Sequence, residues 1–198
     1  MSPTMKTLAL LPVAVALLAG CSSSNDDNTP ANETSSPGLN PGPAPTVLTK
    51  YDGEYLEACT ADDPGDPDSG SEVVTLTISG DTAVSRVFNY NDAACQTPGT
   101  PAEIVFEVSV AYPGDTVETP QGTADAVNIN VESVTLDGEM PTAEQQAQLT
   151  ADNTYAIEYD IVLLEGSSLF FGDTDGELDG STAENRPDTL DPIPTIRQ

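Results

Sequence analysis

Apolar side chains recur at every second position through most of residues 46–198. A period of two is typical of β-strands that bury one face and expose the other. The longest regular run carries Ile104, Phe106, Val108, Val110 and Tyr112. Turn residues separate the runs, since glycine, proline and aspartate cluster between them. The pattern predicts about eight strands, at residues 46–51, 54–59, 74–78, 84–90, 104–112, 127–136, 155–163 and 169–171.

The alternation changes phase once within a single predicted strand. Ile129 and Val131 are apolar at odd positions, whereas Val134 continues the apolar face at an even position. One extra residue in a strand produces such a shift, because it moves every later side chain to the opposite face. We therefore expect a β-bulge near Glu132 and Ser133.

One short helix is predicted after that strand. Thr142 is a good N-cap, and Gln145, three residues later, completes a capping box before Ala147 and Leu149. About eight strands with half-polar faces and one helix of one or two turns indicate an all-β domain. We expect a single antiparallel β-barrel of about eight strands, similar in size to lipocalin barrels, or a β-sandwich.

The beginning of the chain has a different character. Lys6 precedes 13 uninterrupted apolar residues, 8–20. As a helix this run would be about 20 Å long, too short to cross a membrane core of about 30 Å. A positive start, a short apolar core and small residues at its end indicate an export signal over residues 1–20.

The end of that segment, Leu18-Ala19-Gly20-Cys21, resembles the bacterial lipobox. The resemblance implies that Cys21 is lipidated and becomes the first residue of the mature chain. Two or three acyl chains on Cys21 would anchor the protein stably, since one chain binds a membrane only marginally. Ser22 follows, where aspartate would retain a lipoprotein in the inner membrane, so the resemblance implies the outer membrane.

The segment after the lipobox has the composition of a disordered tether. Residues 22–45 are rich in serine, asparagine, threonine, proline and glycine, and Leu39 is their one large apolar side chain. Such a segment cannot bury enough surface to offset the entropy of ordering it. We therefore divide the chain into a signal peptide (1–20), a lipidated cysteine with a linker (21–45) and an acidic β-domain (46–198).

The two remaining cysteines, Cys59 and Cys95, are expected to form a disulfide. Export places them in an oxidising compartment, where a pair with no third competitor oxidises. Two buried free thiols are the alternative that the sequence leaves open.

Charge and composition exclude several classes of function. The chain has 33 acidic and five basic residues, a net charge of −28, so nucleic acid and anionic lipid would repel it. It contains no histidine, which excludes histidine-based hydrolase triads and histidine-ligated metals. We expect no enzymatic activity. Carboxylate chemistry on glycans remains the alternative, because it needs only two acidic side chains.

Two acidic clusters, residues 62–70 and 172–180, are rich in glycine and aspartate. Alternating carboxylates can supply the oxygen ligands of calcium, the one cofactor that we consider. The EF-hand pattern fails in both registers of the second cluster, with Leu178 in place of the glycine or Arg186 in place of the last acid. We therefore favour a solvated loop for both clusters, and a calcium site is the alternative. The candidate ligands are Asp173, Asp175, Glu177 and Asp179.

Arg86 is in phase with Val84 and Phe88, so it is predicted to point inward with a carboxylate partner. A cavity anion site and a structural ion pair would both explain it. The tyrosines fall mostly on predicted inward faces, where they would line a ligand cavity or fill the core. They are Tyr51, Tyr55, Tyr90, Tyr112, Tyr155 and Tyr159.

Gly53-Glu54-Tyr55 in the first regular strand resembles the Gly-X-Trp signature of lipocalins. The layout of residues 51–98 is also similar to small, uncharacterised bacterial lipoprotein and adhesin-associated domains. In these, a first strand ends in cysteine and a second cysteine follows an aromatic strand. The matching positions are Tyr55, Cys59, Phe88, Tyr90 and Cys95.

Together these features predict a lipid-anchored protein of the bacterial cell envelope that acts as a binding or structural, adhesive module. The lipid on Cys21 would bind the membrane. The candidate partners are a small apolar ligand, a glycan or another envelope protein. A carboxylate-dependent glycan hydrolase of the envelope is the alternative function.

Overall fold

The computed structural model describes residues 48–174 and 178–198. Within these residues the chain is all-β, with nine strands and one α-helix, α1 (Ala143–Ala151). Cys21, the predicted signal peptide and the whole predicted linker lie outside the described residues. The strands are β1 (Gly53–Ala61), β2 (Ser71–Ser79), β3 (Thr82–Tyr90), β4 (Pro98–Ala111), β5 (Thr116–Thr119), β6 (Gly122–Leu136), β7 (Glu158–Glu165), β8 (Ser168–Phe171) and β9 (Thr195–Arg197).

Eight of the strands form a closed antiparallel barrel. Their order is β4-β3-β2-β1-β9-β8-β7-β6, and pairing of β4 with β6 closes the ring. The extra strand β5 pairs only with β6. Closure satisfies the backbone groups that an open sheet would leave at its edges. The predicted barrel is confirmed, and the sandwich alternative is wrong.

Two predicted features of the strands and helix are confirmed in detail. Ser133 pairs with Glu107 while Val131 pairs with the next residue, Val108, so Glu132 is the extra residue of a β-bulge. The side chain of Thr142 accepts a hydrogen bond from the Gln145 amide, and the Gln145 side chain accepts one from the Thr142 amide. The capping box therefore starts α1 where the sequence indicates.

Three short elements differ from the prediction. Part of the predicted first strand is a turn of 3-10 helix, Thr49–Tyr51. Strands β5 and β9 contain four and three residues, and the sequence pattern did not reveal them. A segment of three or four residues is too short to show a clear alternation. These segments become strands because neighbouring strands of the sheet pair with them.

The core consists of two clusters on opposite sides of the barrel wall. The main cluster fills the barrel and contains buried side chains such as Val74, Val87, Phe106, Val127 and Leu169. A smaller cluster lies outside β6, β7 and β8, and its buried members are Ala124, Ile161 and Leu190. Leu190 belongs to the segment before β9, which we call the C-terminal strap (residues 178–194). The strap therefore covers apolar residues on the outer face of the wall.

The inward face of β3 is the opposite of the predicted one. Val87 lies across from the core residue Val74, and cross-strand partners share a face of the sheet. Arg86 therefore points outward, and its Nη1 lies 3.1 Å from Glu103 Oε1. The prediction that Arg86 points inward is wrong, although the expected carboxylate partner is present. Because β3 has apolar side chains on both faces, its sequence does not determine which face lies inside. Pairing with the neighbouring strands determines it.

Candidate functional site

One end of the barrel, where β1 and β6 begin and β4 ends, is filled by tyrosines. Tyr51, Tyr55 and Tyr112 are almost completely buried there. The rings of Tyr51 and Tyr112 stack with their centroids 5.9 Å apart. Tyr51 Oη donates hydrogen bonds to Asp125 Oδ2 at 2.6 Å and to the Val162 carbonyl at 3.1 Å. We call this the closed end.

Two basic residues stabilise the closed end. Lys50 Nζ lies 2.5 Å from Asp125 Oδ2. Arg197 Nη2 donates to the Lys50 carbonyl and to Tyr55 Oη, and its guanidinium lies over the Tyr55 ring. Burial, followed by the negative charges of Asp52 and Asp125, raises the pKa of Tyr112 to about 12. Tyr112 therefore stays protonated at neutral pH, and the hydroxyls of Tyr51 and Tyr55 act as structural hydrogen-bonding groups.

The opposite end of the barrel, where β2 and β7 begin, is more accessible. Ile104 and Leu136 lie across from each other on β4 and β6, in phase with buried Phe106 and Val134, yet both are only half-buried. Tyr155, in the connection from β6 to β7, also packs there against the main core. We call this the open end, because inward-facing side chains reach solvent there.

Two carboxylates face inward at the open end from β1 and β2. Glu57 lies across from the core residue Val74. Glu72 precedes Val74 by two residues on β2 and therefore lies on the same face of the sheet. Burial raises the pKa of Glu72 to about 7, and the negative charges of Glu57 and Asp62 add to this effect. Burial also raises the pKa of Glu57. Both side chains are therefore poorly solvated.

A second pair of carboxylates faces inward from β7. Glu158 lies across from Ile129, and Asp160 lies across from Val127. Asp160 Oδ1 accepts hydrogen bonds from the amides of Ile161 at 2.6 Å and Gly172 at 2.9 Å. Oε1 of Glu158 is buried and has no hydrogen-bond partner in the described part of the chain. Burial and mutual repulsion hold the pKa of Glu158 well above its usual range, and burial raises that of Asp160 as well.

The wall of the barrel beside this second pair is irregular. Strands β8 and β9 share only two residue pairs, Ser168 with Ile196 and Leu169 with Thr195. Beyond Phe171 the chain leaves β7, and the Tyr159 amide donates instead to the Gly180 carbonyl of the C-terminal strap. The strap therefore continues the wall at the open end where paired strands are absent.

Arg186 fixes the strap to the outside of the barrel. Its Nη1 donates to the Val127 carbonyl at 2.5 Å and to the Asp160 carbonyl, and its Nη2 donates to Asn128 Oδ1 at 2.7 Å. The guanidinium also lies over the Tyr159 ring. Arg186 therefore binds the backbone beneath Asp160 and forms no ion pair with its carboxylate.

None of the four basic residues in the described part of the chain forms an ion pair with the inward carboxylates. Lys50 pairs with Asp125 and Arg86 with Glu103, and the two remaining basic residues, Arg186 and Arg197, bind carbonyl and side-chain oxygens elsewhere. Buried carboxylates without a cation are costly when ionised. The open end therefore holds four carboxyl groups with no ion-pair partner among the described residues, and the charge of Arg186 acts only on Asp160, whose pKa, raised by burial, it lowers in part. Its carboxylates are Glu57, Glu72, Glu158 and Asp160.

The predicted disulfide between Cys59 and Cys95 is confirmed, with Cα atoms 6.0 Å apart. Cys59 lies in a bulge of β1, because three steps along β1 match two steps along β2 between Glu57 and Thr60. Cys95 Sγ lies near Ser71 Oγ and the Glu72 carbonyl. The bridge therefore ties the loop after β3 to the rim of the open end.

The calcium prediction stays a prediction, because Asp175 and Glu177 lie outside the described residues. Asp173 lies directly after the Gly172–Leu190 bridge. Asp179 Oδ1 accepts from the Ser181 amide and hydroxyl, which lowers its pKa. Across residues 48–174 and 178–198, no three histidine, cysteine or acidic side chains are arranged to hold a metal ion.

The acidic cluster at residues 62–70 forms local turns. Asp63 Oδ1 accepts from the Gly65 amide, and Asp66 Oδ1 accepts from the Asp68 amide. Aspartates in turns commonly bond to backbone amides two residues later. Residues 63–68 are exposed, as expected for the solvated loop predicted above.

Sequence reasoning missed the four inward carboxylates. On β7 it placed Tyr159 inside, whereas Val162 belongs to the main core and Ile161 to the outer cluster. Because the strap covers the outer face of β7, both faces carry apolar residues and the alternation has no unique phase. The usable signal was the regular spacing of Glu158, Asp160 and Val162, which places two acids in phase with a core residue.

The tyrosine prediction is confirmed at the closed end, where three tyrosines fill the core. Tyr159 differs, because it lies across from Asn128 on the outer face and contacts Arg186. No protein-family model and no curated protein matches this chain. Among the described residues no helix is both long and apolar enough to cross a membrane.

Proposed function

We propose that the protein is a lipid-anchored component of the bacterial cell envelope whose barrel binds a small molecule at its open end. The observation that supports binding is the asymmetry of the barrel interior. Hydrogen-bonded tyrosines fill the closed end, whereas the open end presents half-buried apolar side chains and carboxyl groups that have no ion-pair partner among the described residues. An eight-stranded barrel is about wide enough to hold one small ligand beside its own side chains.

The anchoring part of this proposal rests on the lipobox that ends at Cys21. Cys21→Ala removes the acceptor of the lipid, so the chain should move from the membrane fraction to the soluble periplasmic fraction. Membrane fractionation measures this, and the wild-type chain should be recovered with the outer membrane. A Cys21→Ala chain that stays with the membrane would contradict the lipid anchor.

The binding part is tested with N-phenyl-1-naphthylamine, an apolar dye whose fluorescence rises when it leaves water. The chain carrying Cys21→Ala should bind it, and Ile104→Trp should abolish binding by filling the open end. Val105→Trp is the matched control, because Val105 is the next residue and faces outward. Dye fluorescence that is equal in both tryptophan variants would place binding outside the barrel.

Glu57 and Glu72 favour a second function, carboxylate-dependent hydrolysis of an envelope glycan. They face the same side of neighbouring strands, and a carboxyl pKa of about 7 at Glu72 suits a general acid at neutral pH. In this case Glu72 would protonate the leaving oxygen and Glu57 would act as nucleophile or base. Hydrolysis would be supported over binding if the wild-type chain releases reducing ends from purified envelope glycan and Glu72→Gln abolishes this release.

A further inference from the structure

We propose that the Glu158–Asp160 pair binds the ammonium group of a small amphipathic amine whose apolar part lies among the inward side chains of the open end. The inference rests on the proposed binding function and specifies its ligand. The observation that carries it is Glu158 Oε1, an acceptor on the inward face of β7 that is buried and lacks a hydrogen-bond partner among residues 48–174 and 178–198. Such an atom is costly unless a donor reaches it.

The requirement for a cation comes from the charges around the pair. Asp160 already accepts two backbone amides through Oδ1, but amides carry no net charge. Arg186, the nearest basic residue, donates to the Asp160 carbonyl on the outer side of the wall. The charge of Arg186 lowers in part the pKa of Asp160, which burial raises, whereas Glu158 has no ion-pair partner among the described residues. A positive group that enters from the open end would therefore meet an unpaired carboxylate at Glu158 beside that of Asp160.

The number of donor oxygens favours an ammonium group over a divalent metal. Calcium takes about six to eight oxygen ligands, whereas an ammonium group offers three hydrogen-bond donors. In the described part of the chain no group of three or more acidic, cysteine or histidine side chains has metal-binding geometry. The two carboxylates of Glu158 and Asp160 offer too few oxygens for calcium but enough acceptors for the three donors of an ammonium group.

The neighbouring side chains favour an apolar body on the ligand. Glu158 and Asp160 lie across from Ile129 and Val127, and Val162 follows on the same face. Half-buried Leu136 lies further towards the rim on β6. An alkyl or aryl group attached to the amine would therefore remove apolar surface from water while its charged end reaches the carboxylates.

The test uses three eight-carbon probes that differ only in their head group: octylamine, octanol and octanoate. The full chain carrying Cys21→Ala is titrated with each probe by isothermal calorimetry at pH 8. We expect octylamine to bind at least tenfold more tightly than octanol, and octanoate to give no binding. Glu158→Gln should weaken octylamine at least tenfold and leave octanol unchanged. Glu165→Gln, at the exposed end of the same strand, is the matched control and should change neither.

The outcomes separate this inference from the function on which it rests. If no probe binds, binding by the barrel is wrong and the inference is wrong with it. If octylamine and octanol bind equally to the wild-type chain, the barrel binds apolar molecules and only the amine site is wrong; this comparison does not depend on any variant folding. The last titration uses calcium chloride. If calcium binds to the wild-type chain and Glu158→Gln removes this binding, the pair is a metal site and the amine proposal is wrong.

Discussion

Neutralising Glu72 should stabilise the folded protein, although it removes a native side chain. Glu72→Gln keeps the shape of the side chain and removes its charge. The carboxylate is partly buried on the inward face of β2, close to the negative charges of Glu57 and Asp62. Its ionised form is therefore less stable in the folded protein than in the unfolded chain.

The size of the effect follows from the pKa. A rise from 4.5 to about 7 corresponds to about 3 kcal/mol in the free energy of unfolding, at about 1.4 kcal/mol per pH unit. This is an upper limit, because the side chain is partly exposed and solvent screens its charge. We expect a gain of about 2 kcal/mol at pH 8. For a domain of this size that is about 4 to 8 °C in Tm.

The gain should depend on pH in a defined direction. The folded state of the wild-type chain binds the Glu72 proton more tightly than the unfolded state does. Unfolding therefore releases a proton between pH 4.5 and about 7, and wild-type stability falls as the pH rises through this window. At pH 4 the carboxyl is protonated in both states, so Glu72→Gln and the wild type should melt together.

Thermal unfolding followed by circular dichroism at pH 4, 6 and 8 measures the effect. Glu54→Gln is the control, because Glu54 lies on neighbouring β1 but is exposed. It corrects for the general benefit of removing one charge from a protein with a net charge of −28. An equal gain at pH 4 and pH 8, or an equal gain from Glu54→Gln, would refute an origin in the burial of Glu72.

Three further variants test other parts of the structure. Gly172→Ala would place a methyl group 2.7 Å from Pro187 Cβ, so thermal unfolding should show a loss of about 2 kcal/mol; an unchanged Tm would mean that the strap does not pack there as described. Replacing Cys59 and Cys95 by serine opens a loop of 36 residues and should lower the free energy of unfolding in urea by about 4 kcal/mol, whereas reductant should leave the double variant unaffected. Tyr51→Phe removes the closed-end hydroxyl and should cost about 1 to 2 kcal/mol in the same urea assay, and wild-type stability in this variant would argue against its buried hydrogen bonds.

The sequence by itself determined the features that depend on local order along the chain. The bulge at Glu132 was predictable because one extra residue reverses the phase of a regular strand. The start of α1 was predictable because Thr142 and Gln145 satisfy each other's backbone amides within one turn. The period of two located the six long strands β1, β2, β3, β4, β6 and β7, and it left a barrel and a sandwich both possible.

Only the tertiary structure decided which face of several strands lies inside. On β3 the register with Val74 turned Val87 inward and Arg86 outward. On β7 the strap buried Ile161 from outside, so the inward positions fell to Glu158 and Asp160. A strand with apolar residues on both faces has two equally regular phases, and the choice depends on segments distant in sequence. The candidate site was hidden for that reason: its acids lie on faces whose orientation is determined by cross-strand partners and by a strap that the local pattern does not contain.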